Sequence, residues 1–437
     1  MNKIRNFIVP GIVSIGLLFC VALLWYAYRE EGWFRKESME KQESFFGAIQ
    51  VKAKNLKGKD GEAVIPNPEG EMEGIIVKAG LKAEDWDVRH AAGLTNQAIL
   101  NQMGLLENRY AFSLLKPDEK QLYAELYLIL AGHHSEVPLC ETDPEILEYV
   151  EHCVYLDCPE LFYANGCIYT KMLLGDTVCR IIYEPVYTMS KDEADACVGK
   201  INEYSTNALA GIAMNSSVYD KVKHVYEYVI LNTEYELNSK DDQNICSVFL
   251  YGKSVCMGYS RAVQYLLREL GIESCIVYGH SVNGEAHSWN LVDTGNAYYF
   301  VDATWGDSSY LSHINGADQL ISLNYDYLFV TNDDLSNTHV IDSRIPIPRC
   351  VSDQYNFYVK EKLYVEEVSA EEFLAIFGTE AFNELPYVAF RCKDEETYRE
   401  VRRHLIDENH IFDYLDENVV SLNFTYNEIM HTYTFLF

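Results

Sequence analysis

Two short runs of alternating aromatic and β-branched residues, separated by a turn, constrain the fold of this chain more than any other feature. Residues 287–293 and 298–302 are predicted antiparallel strands, and Thr294-Gly295-Asn296 is the predicted turn. Opposed residues of a hairpin have a constant sum of residue numbers, so a loop at Thr294-Gly295 places His287 directly opposite Asp302. Other two- or three-residue loops move this register by one or two places. The pattern predicts an imidazole beside a carboxylate on one face.

A cysteine precedes a helical pattern upstream of this hairpin. Apolar residues recur at positions 262, 263, 266, 267 and 270, so Cys256 lies at the N-terminus of the predicted helix. Free N–H groups and the helix dipole stabilise a thiolate at such a position and can hold an oxyanion. A single cysteine at a helix start is more often a small buried residue. Facing His287 and Asp302, however, it completes a nucleophile, base and orienting group.

At these positions the chain resembles the transglutaminase-like superfamily of papain-related thiol enzymes, of a bacterial membrane-anchored type. The matching motifs are GKSVCMGY at 252–259, HSWN at 287–290 and YFVDATWGD at 299–307, with Gly279 ending a short strand between the first two. The resemblance covers residues 215–335. Ser288 departs from it, because alanine is commoner before this tryptophan. In true papains the histidine lies about 130–150 residues after the cysteine, so they do not fit.

The resemblance implies an α+β fold with a papain-like transglutaminase core, in which the helix of Cys256 packs against an antiparallel sheet. It also implies a catalytic triad of Cys256, His287 and Asp302. Cys256 would attack a carboxamide or peptide carbonyl and form a thioester, His287 would shuttle the proton, and Asp302 would orient His287. Water would resolve the thioester in a protease or amidase, and an amine would resolve it in a cross-linking enzyme. A non-catalytic surface module that keeps the fold for binding is the third reading.

Other site residues are weaker predictions. Gln243 is a candidate oxyanion donor, although a solvated loop amide is an equal reading of it. Tyr259, Trp289 and Trp305 are candidate walls of a substrate pocket or, equally, core aromatics. We expect no metal and no other cofactor, since the acidic pairs at 241–242 and 333–334 lack the spacing of a calcium-binding loop.

Composition narrows the class of partner. Asp and Glu number 66 against 35 Lys and Arg, a net charge of -31. Nucleic acid binding requires clustered positive charge, so we expect no nucleic acid partner. The expected partner is a protein or peptide substrate, with the cell envelope as one source. The eleven cysteines outside the first apolar run show no dense disulfide framework, and the sequence leaves their pairing open.

The first 28 residues contain a membrane signal. Residues 7–28 carry no charge and follow Lys3 and Arg5, which predicts a transmembrane signal anchor after a cytoplasmic tail at 1–6. A cleaved signal peptide is the alternative, although the run ends in bulky residues. Either reading predicts a catalytic domain outside the cytoplasm, and the anchor predicts a single-pass protein of the cell membrane.

The remaining chain divides by composition. Residues 29–75 are predicted to form a stalk, because they are rich in Gly, Pro and charged residues. Residues 76–214 are predicted to be a mainly helical N-terminal domain with a hairpin turning at Gly175-Asp176. The catalytic domain is expected at 215–350. A small α+β domain, with a first strand near 357–365, is expected at 351–437.

Overall fold

The computed structural model describes residues 47–56, 65–213, 215–307, 321–378, 387–417, 419 and 421–436. In these ranges, no helix has both the length and the apolar character needed to cross a bilayer. The predicted tail at 1–6 and anchor at 7–28 lie outside the described residues.

Helices make up most of the N-terminal part, and polar residues begin several of them. Asp143 accepts hydrogen bonds from two N–H groups of the helix that starts at Pro144, while Ser190 and Ser217 cap the next two. The α-helices are α1 (Ala83–Ala91), α2 (Asn96–Leu105), α3 (Tyr110–Ser113), α4 (Pro117–Ala131), α5 (Pro144–Asp157), α6 (Lys191–Leu209), α7 (Val218–Leu231), α8 (Cys256–Glu269), α9 (Ala303–Gly306), α10 (Asn332–Leu335), α11 (Phe357–Lys360), α12 (Ala370–Phe377) and α13 (Glu395–Val401). Ser247–Tyr251 and Arg402–Asp407 form π-helical turns, and His410–Tyr414 forms a 3₁₀ turn.

The N-terminal part also contains a four-stranded sheet of order β1-β3-β4-β2. Its strands are β1 (Ile49–Asn55), β2 (Val137–Pro138), β3 (Ala164–Leu174) and β4 (Thr177–Tyr187). The β3–β4 hairpin turns at Gly175-Asp176, where Gly175 has a φ of 63°, as the sequence predicts. The stalk prediction is wrong for Ile49–Asn55, because this segment pairs in parallel with β3. Its side chains remain exposed, so no buried pattern in the sequence marks it as a strand.

The central sheet is antiparallel and has the order β10-β9-β8-β7-β11. Its strands are β7 (Ser274–Ser281), β8 (Ala286–Asp293), β9 (Tyr298–Val301), β10 (Leu328–Val330) and β11 (His339–Ile341); the short parallel pair β5 (Glu234–Tyr235) and β6 (Lys253–Ser254) lies outside it. Helix α8 packs against β8, where the Ser260 hydroxyl donates to the Ser288 carbonyl and the Asn290 amide donates to the Ser260 carbonyl. A helix beginning at Cys256 against an antiparallel sheet confirms the predicted α+β core.

The C-terminal part is a small α+β unit. Its sheet has the order β12-β13-β15-β14, formed by β12 (Tyr364–Val365), β13 (Tyr387–Cys392), β14 (Asn423–Asn427) and β15 (Thr432–Leu436). Of the strand predicted near 357–365, only Tyr364–Val365 is a strand, and the prediction is wrong for the residues before it. Asn356 accepts a hydrogen bond from the Tyr358 N–H, and this cap starts helix α11 instead.

One continuous apolar core joins the three parts. The Gln264 side chain of α8 donates to the carbonyl of Leu156 in α5 and to that of Ser274 in β7. Arg268, near the end of α8, forms an ion pair with Glu160 at 2.8 Å. The N-terminal part therefore fixes the position of the helix that begins at Cys256.

Candidate active site

Cys256 is the first residue of helix α8, as predicted. It is 5% exposed, and Val255 before it offers no side-chain cap. The first N–H groups of an α-helix have no intrahelical partner, so those at this end are available to a negatively charged atom. A thiolate or a developing oxyanion fits this position.

Glycine allows the preceding segment to pack closely on α8. A Cβ added at Gly258 would lie 1.9 Å from Ser254 Oγ and 2.5 Å from Ser247 Oγ. These two hydroxyls are hydrogen-bonded to each other at 2.6 Å, which ties the π-helical turn to β6. The segment leading into Cys256 is therefore held against the first turn of its own helix.

His287 and Asp302 meet as the sequence predicts, but in a different register. Asp293 pairs with Tyr298, so the two-residue loop is Gly295-Asn296 and His287 is not directly opposite Asp302. The change moves the partner by two places, which keeps both side chains on the same face. The His287 Nε2–H donates to Asp302 Oδ2 at 2.6 Å, and both side chains are buried.

The Asp302 carboxylate is also the N-cap of helix α9. Its Oδ1 accepts hydrogen bonds from the N–H groups of Thr304 and Trp305 at 2.9 and 3.1 Å. Burial alone would raise the pKa of this carboxyl. The charge of His287 and the hydrogen bonds donated by His287 and His339 outweigh burial and hold the Asp302 pKa well below its usual range. Asp302 is therefore ionised and acts only as an acceptor.

His287 connects this carboxylate to the thiol. Burial disfavours its imidazolium, yet the charge of Asp302 and hydrogen bonds to Asp302 and Cys256 raise the His287 pKa to about 10. Because Nε2 bonds to Asp302, Nδ1 is the nitrogen left for Cys256. The three residues form a hydrogen-bonded series from thiol to imidazole to carboxylate.

A second histidine, which the sequence analysis missed, donates to the same carboxylate oxygen. The Nε2–H of His339 lies 3.0 Å from Asp302 Oδ2, and the ring centres of His339 and His287 are 5.2 Å apart. His339 reaches the site through long-range pairing, because β11 pairs with β7 and β7 pairs with β8. No local pattern identifies it.

The predicted wall residues are mostly core residues. Tyr259 is fully buried, and its hydroxyl donates to Asp307 Oδ2 at 2.5 Å. Trp289 is fully buried and stacks on His287 with ring centres 5.8 Å apart. Trp305 is 9% exposed and packs against His287 and His339. Both tryptophans therefore enclose the imidazoles. That either of them also forms a wall of a substrate pocket stays a prediction.

The oxyanion candidate and one unpredicted residue lie upstream of the helix. The Gln243 side chain donates to the Asp242 carboxylate, and its role as an oxyanion donor stays a prediction. Tyr235, which the sequence analysis did not single out, is close to the thiol. Burial, followed by the negative charge of a Cys256 thiolate, raises the Tyr235 pKa.

Two groups in the described ranges have the spacing of metal ligands, with donor atoms within 4.8 Å of one another. The first is His287, Asp302 and His339, whose mutual hydrogen bonds account for the arrangement. The second lies in the C-terminal part, where His404 bonds to Tyr414 at 2.9 Å and His410 bonds to Asp413 at 2.8 Å. Glu408 completes the second group, whose two histidines thus each have a hydrogen-bond partner outside it. The expectation that no metal binds stays a prediction.

A buried thiol at a helix N-terminus is hydrogen-bonded to an imidazole of an antiparallel sheet, and this imidazole is hydrogen-bonded to a carboxylate directly after β9. This arrangement is typical of a thiol enzyme. Residues 207–303 match the transglutaminase-like superfamily, and this range includes Cys256, His287 and Asp302. This part of the chain is transglutaminase-like, which confirms the resemblance to that superfamily, whereas the membrane-anchored type stays a prediction. No curated protein sequence matches the chain.

Solved structures with this similarity are distant. A transglutaminase structure is 17% identical, with a TM-score of 0.24, over 37% of this chain and 54% of that chain. A candidate cysteine protease from Cytophaga hutchinsonii is 14% identical, with a TM-score of 0.22, over 34% and 63%. A candidate protease from Parabacteroides distasonis is 8% identical, with a TM-score of 0.20, over 32% and 40%. The chain thus spans less than two thirds of each of these proteins.

Proposed function

We propose that this protein is a thiol acyl-transfer enzyme in which Cys256 attacks the carbonyl of a protein or peptide amide. The observation that carries the proposal is the buried hydrogen-bonded series of Cys256, His287 and Asp302, with the pKa of His287 raised to about 10. An imidazolium that persists at neutral pH stabilises a neighbouring thiolate. Asp302 keeps the imidazole in one tautomer and orientation.

The reaction has two halves. Cys256 Sγ bonds to the carbonyl carbon, and the free N–H groups at the start of α8 stabilise the oxyanion. The C–N bond then breaks, and His287 gives its proton to the leaving ammonia or amine. In the second half, water or an acceptor amine attacks the thioester while His287 takes its proton, and the Cys256 thiolate is released.

Transfer and hydrolysis differ only in the acceptor, so one experiment separates them. The full chain is incubated with a glutamine-containing protein and a labelled primary amine, and the products are read by mass spectrometry. Incorporated label identifies a cross-linking transferase, new peptide termini identify a protease, and glutamate formed without label identifies an amidase.

Matched variants control this experiment. Cys256→Ala should abolish every product, whereas Cys179→Ala removes a half-buried thiol of the N-terminal sheet and should change nothing. If wild-type protein yields none of the three products but binds the substrate protein, the enzyme proposal fails. The surface binding module then becomes the better reading.

We also propose that residues 7–28 anchor the protein in the cell membrane with its catalytic part outside the cytoplasm, where envelope proteins or peptides would be substrates. The uncharged run after Lys3 and Arg5 supports this location, and the net charge of -31 argues against nucleic acid. Protease added to intact cells should remove the residues after 28. Full protection of Cys256-containing peptides would contradict export.

A further inference from the structure

We propose that His339 is a positioning residue for the reaction, which holds the Asp302 carboxylate in the orientation that His287 requires. The inference rests on the proposed function, because it assigns His339 a part in the same site. It starts from one contact. Both imidazoles donate to the same atom, Asp302 Oδ2, at 2.6 Å from His287 and 3.0 Å from His339.

Four donors together fix the carboxylate. Two backbone N–H groups of α9 bond to Oδ1, and they place this oxygen without determining where Oδ2 points. The His339 Nε2–H bonds to Oδ2 from a strand on the far side of β7, so it removes this remaining freedom. Asp302 cannot turn away from His287 without also breaking the bond to His339.

His339 is itself held firmly. It is 3% exposed, and its backbone pairs with Ser281 in β7. Its ring packs 4.7 Å from the ring of Trp305 and 4.9 Å from that of Trp289, centre to centre. A group fixed on a strand and enclosed by two indoles can fix another group through a hydrogen bond.

The tautomer of His339 is also determined. Its Nε2 faces the Asp302 carboxylate, which only accepts, so Nε2 carries the ring proton of a neutral imidazole, and Nδ1 accepts from the Thr338 hydroxyl at 2.7 Å. Burial in this apolar setting disfavours a second charge beside His287. His339 therefore presents a donor to Asp302 and takes no proton from the thiol.

The sheet provides the space for this arrangement. Gly279 is paired with His287 on one side and with Ile341 on the other. A Cβ at this position would lie 1.9 Å from the Val340 carbonyl oxygen and 2.8 Å from the Trp289 ring. With no side chain at Gly279, the two imidazoles of one sheet face reach the same carboxylate.

The test compares full-length variants by the rate of Cys256 alkylation with iodoacetamide and by kcat and KM for the amide substrate. His339→Leu, which has no donor, should lower the alkylation rate and kcat about 10- to 100-fold with KM unchanged, the worth of one hydrogen bond to a charged group. His339→Gln, whose amide can donate, should recover most of the loss. Control His280→Leu removes a histidine of β7 that pairs with Asp342 near the surface, and should change nothing.

A double-mutant cycle separates positioning from mere packing. If His339 acts through Asp302, then His339→Leu in an Asp302→Asn background should lower the rate less than two-fold further. If the fold-reductions of the two single variants multiply in the double variant, the inference is overturned. A wild-type rate in folded His339→Leu would also overturn it. Should His339→Leu fail to fold, Thr338→Val, which removes the hydroxyl bonded to His339 Nδ1, takes its place in the cycle.

A second readout keeps the two proposals distinguishable. Histidine-¹⁵N NMR reports the protonation of His287 without any reaction. If wild-type Cys256 proves unreactive, the proposed function fails, but the positioning role can still be tested. The His287 Nε2–H signal that the wild-type protein shows should then be lost or averaged in His339→Leu and retained in His280→Leu. An unchanged His287 signal in folded His339→Leu would overturn the positioning role alone.

Discussion

Substituting asparagine for Asp302 tests the central contact of the site with a change of a single group. The carboxylate accepts two backbone N–H groups on Oδ1 and two imidazole N–H groups on Oδ2. An amide that keeps its oxygen toward the backbone presents NH₂ to both imidazoles. Donor then faces donor, so His287 is expected to shift its proton to Nδ1, the nitrogen left for Cys256. In that tautomer it cannot take a proton from the thiol.

The structure sets the size of the effect. The charge of Asp302 keeps the His287 pKa at about 10 despite burial. Without this charge the His287 pKa should fall toward its ordinary value of about 6.5, and a fall of that size from about 10 corresponds to about 5 kcal/mol of imidazolium stabilisation. Removing one member of a buried ion pair costs about 3–5 kcal/mol. In Ser-His-Asp proteases the same substitution lowers kcat about 10⁴-fold. We expect Cys256 alkylation at pH 7 to slow by about 10³-fold.

The assay follows iodoacetamide modification of the Cys256 peptide by mass spectrometry. Cys179 and Cys197 are half-buried thiols away from the site and serve as internal references, because the substitution should leave their labelling unchanged. The matched control is Asp342→Asn, which disrupts a second histidine–aspartate contact of 2.6 Å, to His280 in β7. That contact is partly solvent-exposed. Because Gly279 pairs with His287, the next residue, His280, points to the opposite face of the sheet, so the Cys256 rate should stay within two-fold.

A folded Asp302→Asn protein whose Cys256 reacts at the wild-type rate would refute this reasoning. It would show that the thiol does not depend on the charge of His287. A proportional slowing of Cys179 and Cys197 would instead indicate a general loss of structure, which far-ultraviolet circular dichroism detects independently.

Three further predictions concern stability, each measured by urea unfolding. Gly279→Ala should destabilise by about 2–4 kcal/mol, since its Cβ would lie 1.9 Å from the Val340 carbonyl oxygen, whereas Gly199→Ala in α6 meets no atom within 4 Å and should stabilise by up to about 1 kcal/mol. Because the folded pKa of His287 is raised to about 10, its contribution should be complete below pH 6.5 and lost as the pH rises toward 10, so His287→Gln should differ most from wild type at low pH. Burial raises the pKa of Glu151 to about 7, so wild-type stability should fall between pH 4.5 and 7, and Glu151→Gln should remove that fall.

Local signals in the sequence were sufficient for the parts of the site that lie close together along the chain. The apolar repeat after Cys256 predicts the start of α8, because a helix period is visible over a few turns. The pairing of His287 with Asp302 follows from hairpin arithmetic alone. Its register was two places wrong because Gly295 has a φ of 82° and the loop is Gly295-Asn296, one residue later than the sequence suggested.

Other elements carry no such local signal. His339 comes 37 residues after Asp302, and only the pairing of β11 with β7 brings the two together. The strand Ile49–Asn55 was missed because its side chains are exposed on both faces, so backbone pairing alone defines it. A pattern of buried residues cannot reveal an element that buries none.

Two imidazoles on one carboxylate oxygen also determine where the positive charge resides. With ring centres 5.2 Å apart, two charges would repel by about 3 kcal/mol even at an effective dielectric constant of about 20. The pKa of His339 is lowered, first by burial and then by the charge of His287, against the opposing effect of Asp302. Its Nδ1 accepts from Thr338, a partner suited to a neutral ring, whereas the Nδ1 of His287 is left for Cys256. The charge therefore resides on the imidazole beside the thiol, where it can stabilise a thiolate, and the neutral imidazole keeps the carboxylate in place.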